Sequence, residues 1–125
     1  SLAEVNSVSI RSQVDPNAIL ITEIDIVFVY TKEIGDSFPS SKSAWYSGKQ
    51  SLIQKAGDDV EIVNVFIPQG FDSENARLPT RKHEAVKVFI IAYHDDPEVA
   101  PIDVTEMVDV FIEIDAFGIF ISSKQ

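Results

Sequence analysis

Cysteine is absent from the 125 residues, which excludes disulfides, thiolate metal sites and cysteine nucleophiles. Positive charge is scarce: ten Lys and Arg stand against twenty Asp and Glu, a net charge of −10. Phosphate recognition needs clustered cations, so this balance argues against nucleic acid and against broad contact with anionic lipid headgroups. It fits a solvated acidic surface that aids solubility. The five glycines, Gly35, Gly48, Gly57, Gly70 and Gly118, are too dispersed to form a phosphate-cradling loop. No apolar run reaches the roughly 18 residues that a membrane-spanning helix needs. Phe89–Tyr93 and Val108–Ile114 are strand-sized instead.

Chemistry-bearing side chains are equally thin. The two histidines, His83 and His94, each stand alone in their segments, without zinc-site spacing. No serine sits in a nucleophile-elbow pattern. Acids such as Asp109, Glu113 and Asp115 fall on polar strand faces or turns, where solvation explains them. His94-Asp95-Asp96 could offer several ligands from one turn, and calcium is the metal its oxygens would suit. Adjacent acids at a turn are also ordinary turn formers. The reading is therefore no catalytic residue, no metal site, no cofactor and no small-molecule substrate.

What is present is β-pattern. Val5-Asn6-Ser7-Val8-Ser9-Ile10-Arg11 alternates with period two, and Asp15-Pro16-Asn17 then marks a turn. Glu23 to Tyr30 places Ile24, Ile26, Phe28 and Tyr30 on one face. Asp25, Val27 and Val29 occupy the other, which becomes apolar midway. Such a strand is buried on one side and partly covered on the other. Asp59–Ile67 and Ala85–His94 read as further strands, the latter central because no acid interrupts it. Met107–Asp115 and Gly118–Ser122 read as a terminal hairpin around Asp115-Ala116-Phe117-Gly118. About six or seven strands with short loops predict a single domain over residues 1–125, a two-sheet antiparallel β-sandwich of Greek-key type.

One element breaks this pattern. Residues 37–57 form a helical insert, SFPSSKSAWYSGKQSLIQKAG, which holds the only Trp. Its first twenty residues carry no acid but three bases, Lys42, Lys49 and Lys55. Ser37 and Ser40 are candidate N-caps, and Gly48 is expected to split the insert into two short helices ended by Gly57. Trp45, Leu52, Ile53 and Ala56 share one side at helical spacing. The insert reads as a helix packed on a sheet face, with Trp45 as anchor. It also reads as a recognition surface, in which Lys42, Lys49 and Lys55 meet an acidic partner. A second feature is the apolar cluster Ala18-Ile19-Leu20-Ile21 after the Asp15-Pro16-Asn17 turn. It extends the following strand into the core, or it forms a loop tip that docks a partner.

The order of these segments is similar to that of the TssJ family, outer-membrane lipoproteins of type VI secretion systems. The stretches that carry the resemblance are VNSVSIRSQVDPN, IDIVFVYTK, the insert opening SFPSSKSAWYS, VFIIAYHDDPE and the hairpin VDVFIEIDAFGIFIS. Two stretches depart from the family pattern: Pro68-Gln69-Gly70 before a longer loop, and the apolar Asn17–Ile21 where the family loop is polar. The resemblance implies a transthyretin-like sandwich with added helices and no catalysis. It implies a lipidated Cys just upstream of Ser1 and a place on the periplasmic side of the outer membrane. Its partner would be a TssM-like inner-membrane component, met through the loop of Asp15, Pro16, Asn17, Ala18, Ile19, Leu20 and Ile21. A generic periplasmic or extracellular binding module, associated with carbohydrate, adhesin or chaperone, is the alternative reading of the same β-pattern.

Overall fold

A computed structural model describes residues 1–12, 23–67, 73–92, 98–115 and 118–123. The order is β1 (Ser7–Ser12), β2 (Glu23–Val29), α1 (Lys32–Asp36), α2 (Lys42–Ala56), β3 (Val60–Phe66), β4 (Ser73–Asn75), β5 (Lys87–Ala92), β6 (Ile102–Asp103), β7 (Asp109–Asp115) and β8 (Gly118–Ser123). Two four-stranded sheets form, ordered β4-β1-β7-β8 and β3-β2-β5-β6. The fold is a transthyretin-like β-sandwich with helices after the second strand.

Alternation explains the layers. From the first sheet Val8, Ile10, Val110, Ile112 and Ile114 point inward, meeting Ile24, Ile26, Phe28, Val88 and Ile90 from the second. The opposite face of β2 and β5 supplies Val27, Val29 and Ile91 to a smaller cluster with Trp45, Ala56 and Val60. β2 is thus apolar on both faces because both are covered: one by the other sheet, one by the helices. β5 lies between β2 and β6, a central position as expected.

Four details differ from the expectation. First, β1 pairs with β7 in parallel, Ser7 with Asp109 through Ser12 with Ile114, so the sandwich is not wholly antiparallel. These strands come from opposite ends of the chain, and no tight turn dictates their relative direction. Second, Gly48 does not split the insert: α2 runs unbroken through it. One interior glycine costs a helix only about 1 kcal/mol, which packing of the Trp45 face outweighs. Third, the N-caps are Thr31 and Ser41, whose hydroxyls accept from the Ile34 and Ala44 amides. Ser37 instead ends α1, its amide donating to the Glu33 carbonyl. Fourth, α1, β4 and β6 were not expected; at five, three and two residues they are too short to show a period.

The N-terminal segment is held before β1 begins. The amides of Ala3, Glu4 and Asn6 donate to the carbonyls of Ala85, Thr105 and Val108 at 2.7, 2.9 and 2.7 Å. Val5 is completely enclosed. The start of the chain is therefore fixed at the end of the sandwich where β5 and β7 begin.

Candidate functional site

Strand polarity defines the opposite end. Ser12 pairs with Ile114, Arg11 with Ser73, Glu23 with Phe66, Ile24 with Ala92 and Asp115 with Gly118. The last residues of β1, β3, β5 and β7 and the first of β2, β4 and β8 thus gather at one end, away from Ser1. The segments that leave these strand ends span residues 13–22, 67–72, 93–101 and 116–117. Asp15, Pro16, Asn17, Ala18, Ile19, Leu20 and Ile21 lie outside the described residues, as do His94, Asp95 and Asp96. Their anchors Ser12, Glu23 and Ala92 belong to this end. Among the described residues no group of three metal-ligating side chains gathers.

Beside the loop end, α2 is docked through a polar network that the sequence reading missed. Asp25 of β2 is wholly buried. One carboxylate oxygen, Oδ2, accepts from Trp45 Nε1 at 3.0 Å and from Lys49 Nζ at 2.8 Å. The other, Oδ1, accepts from Asn64 Nδ2 at 2.9 Å, and that amide also donates to Glu23 at 2.8 Å. Burial alone pushes the Asp25 carboxyl up. Hydrogen bonds from Asn64, Lys49 and Trp45, with the Lys49 charge, outweigh burial and hold it below the ordinary carboxylate value. Trp45 and Lys49 reach one carboxylate because four residues separate them on a helix. The available signal was an acid in the middle of Ile24-Asp25-Ile26-Val27, on a face that turns apolar, opposite a helix carrying Trp and Lys at that spacing.

Aromatic contacts complete the dock. Phe38 stacks on Phe89 with ring centres 4.1 Å apart and on Trp45 at 5.3 Å. The Tyr46 hydroxyl donates to the Ala92 carbonyl at 2.9 Å, tying α2 to the last residue of β5. At the other end Arg81 lies 4.0 Å over the Tyr30 ring and donates to the Asp58 carbonyl at 2.8 Å. Burial, with Glu61 nearby, pushes the Tyr30 phenol up to about 12.

The structure does not bring the three insert lysines together as one exposed patch. Lys42 is 6% exposed. Lys49 is ion-paired to Asp25 at 2.8 Å, its side chain 19% exposed. Lys55 is exposed in the last turn of α2. Trp45 is fully buried and Ala56 nearly so, whereas Ile53 is 37% exposed. Most of the insert's inward chemistry serves to hold α2 on the sheet.

These features define a helix-decorated β-sandwich with a polar latch under its helix. Neither a protein-family profile nor a curated protein sequence matches the chain. Among solved structures it is similar to TssJ1 of Pseudomonas aeruginosa, a type VI secretion lipoprotein. The TM-score is 0.53 at 11% identity, over 96% of this chain and 97% of that one. It is also similar to Lip of Serratia marcescens, a membrane-bound component of the type VI secretion system. Here the TM-score is 0.52 at 10% identity, over 95% and 98% of the two chains. At these identities the likeness is one of fold. It spans nearly the whole chain.

Proposed function

We propose that this chain is a non-catalytic, lipid-anchored protein of the periplasmic face of the bacterial outer membrane. In this reading it helps anchor the membrane complex of a type VI secretion system. It does so by binding the periplasmic region of a TssM-like inner-membrane component through Asp15, Pro16, Asn17, Ala18, Ile19, Leu20 and Ile21. The observation that carries the reading is the end-to-end fold likeness to two secretion lipoproteins. The polarity of the sandwich supports it: Ser1 and the converging loop anchors sit at opposite ends. A lipid attached upstream of Ser1 would hold one end at the membrane and turn the loop end toward the periplasm. Lys55 is the insert lysine left to contribute to a secondary surface.

Calorimetric titration with the periplasmic region of the TssM-like component tests this. The wild-type chain is expected to bind, and Ile19→Asp and Leu20→Asp to weaken binding about tenfold or more with unchanged thermal midpoints, since a charge in an apolar contact stays desolvated. Unfolding of both variants would assign Ile19 and Leu20 to the core and remove the loop contact. Absence of binding by the wild-type chain would remove the proposal itself.

A further inference from the structure

The four margins of the two sheets are not equally protected. β4 and β6 are three and two residues long, too short to template another strand. β3 is longer but carries Glu61, whose carboxylate lies 3.6 Å from Arg81, and Asn64, whose amide is committed to Glu23 and Asp25. β8 has none of these devices. Its six residues, Gly-Ile-Phe-Ile-Ser-Ser, include no charge and no proline. Among the described residues it pairs with β7 alone. In an antiparallel ladder alternate residues turn N–H and C=O away from the partner, so β8 presents an outward row of backbone groups that no other described strand pairs.

The side chains around that row have a definite character. Ile119 and Ile121 pack inward against the sandwich core. Phe120 points to the outer face, 56% exposed. It lies opposite Glu113 and diagonal to Phe111 on β7. Asp109 and Asp115 share that outer face of β7, since the residues between them, Val110, Ile112 and Ile114, are the buried ones. An edge with an aromatic lip and three acids one strand behind it, Asp109 already accepting from the Ser7 hydroxyl and Asp115 from the Gly118 amide, fits a strand of opposite charge. A long cationic side chain set opposite Phe120 would lie over its ring and point toward Glu113.

We infer that β8 accepts an extended segment of another protein as a ninth strand, apolar on the side that continues Ile119 and Ile121 and basic on the side beside Phe120. Backbone hydrogen bonds supply affinity, and the alternation of the two sides supplies selectivity. A second copy of this chain is the poorer occupant, because it brings the same three acids and a net charge of −10 to the same edge. The inference stands independently of the secretion reading, since it uses the edge rather than the loop end.

The test uses the full chain, isotope-labelled for NMR, and a capped decapeptide alternating valine and lysine. Binding is expected to slow exchange of the outward β8 amides about tenfold or more, with shifts confined to β7 and β8. The same peptide N-methylated on its edge-facing amides is expected to lose binding, and a glutamate-for-lysine version to weaken it about tenfold. Phe120→Ser is expected to weaken binding with the thermal midpoint unchanged. No binding, equal binding of the N-methylated peptide, or shifts at the loop end instead of β8 would overturn the inference. So would a free protein that sediments as a dimer with β8 already protected, which would make a second copy the occupant.

Discussion

Asp25 is the side chain on which the placement of α2 depends. A buried carboxylate is costly unless charged and polar partners surround it, and this one has Trp45, Lys49 and Asn64. Removing it takes an acceptor from three donors, of which the Trp45 indole is the fully buried one. Asp25→Ala is therefore expected to destabilise the chain by about 3–5 kcal/mol in chemical denaturation, the cost of breaking a buried pair. A change within error would mean the network is replaced by water. The pH dependence has a definite sign. Asp25 and Asp103 both titrate below the ordinary carboxylate value. Burial opposes this at Asp103, while Thr105 and Lys87 produce it. Stability from a depressed carboxylate is complete above its unfolded value and lost as pH falls through the folded one. Thermal midpoints should thus be flat from neutral pH down to about 5 and fall steeply below about 4, where unfolded carboxylates protonate. In Asp25→Ala the acid limb should be shallower.

The elements show what periodicity can carry. β2 was legible as a strand buried on one side and partly covered on the other because Ile24, Ile26 and Phe28 alternate with Val27 and Val29, and those faces meet the two clusters found. β5 was legible from an apolar run that no acid interrupts, and the β7–β8 hairpin from its strand-sized apolar segments with Gly118 at the turn. β4 and β6 were not, because their pairing is imposed by neighbouring strands rather than by their own pattern. The parallel β1–β7 pair is a tertiary choice with no local signal. Asp25 was placed on the correct face, but its burial depends on what α2 brings over it from 20 residues away. The three insert lysines were legible as charges and not as positions. Gly48 is a site where packing overrides the low local propensity that predicts a break. It now yields a prediction: a Cβ at Gly48 would meet nothing within 4 Å. Gly48→Ala is therefore expected to stabilise the chain by about 0.5–1 kcal/mol, read as a raised denaturation midpoint. A lowered midpoint would show that the α2 surface is more crowded than its geometry indicates.

The molecule as a whole is polarised. Its N-terminal segment is clamped at one end by Ala85, Thr105 and Val108, and the loop-bearing strand ends gather at the other. One sheet is roofed by helices, and no described helix covers the outer face of the other, which has β8 at its margin. This asymmetry gives three distinct surfaces, and the proposed secretion partner would meet the end from which residues 13–22 leave the sheets. Hydrogen exchange read by mass spectrometry, with and without the periplasmic region of the TssM-like component, measures this directly. The account predicts slowed exchange in peptides spanning residues 12–23 and in those leaving β3 and β5, with α2 and the N-terminal segment unchanged. Protection confined to α2 or to the N-terminal end, or no protection anywhere, would contradict it.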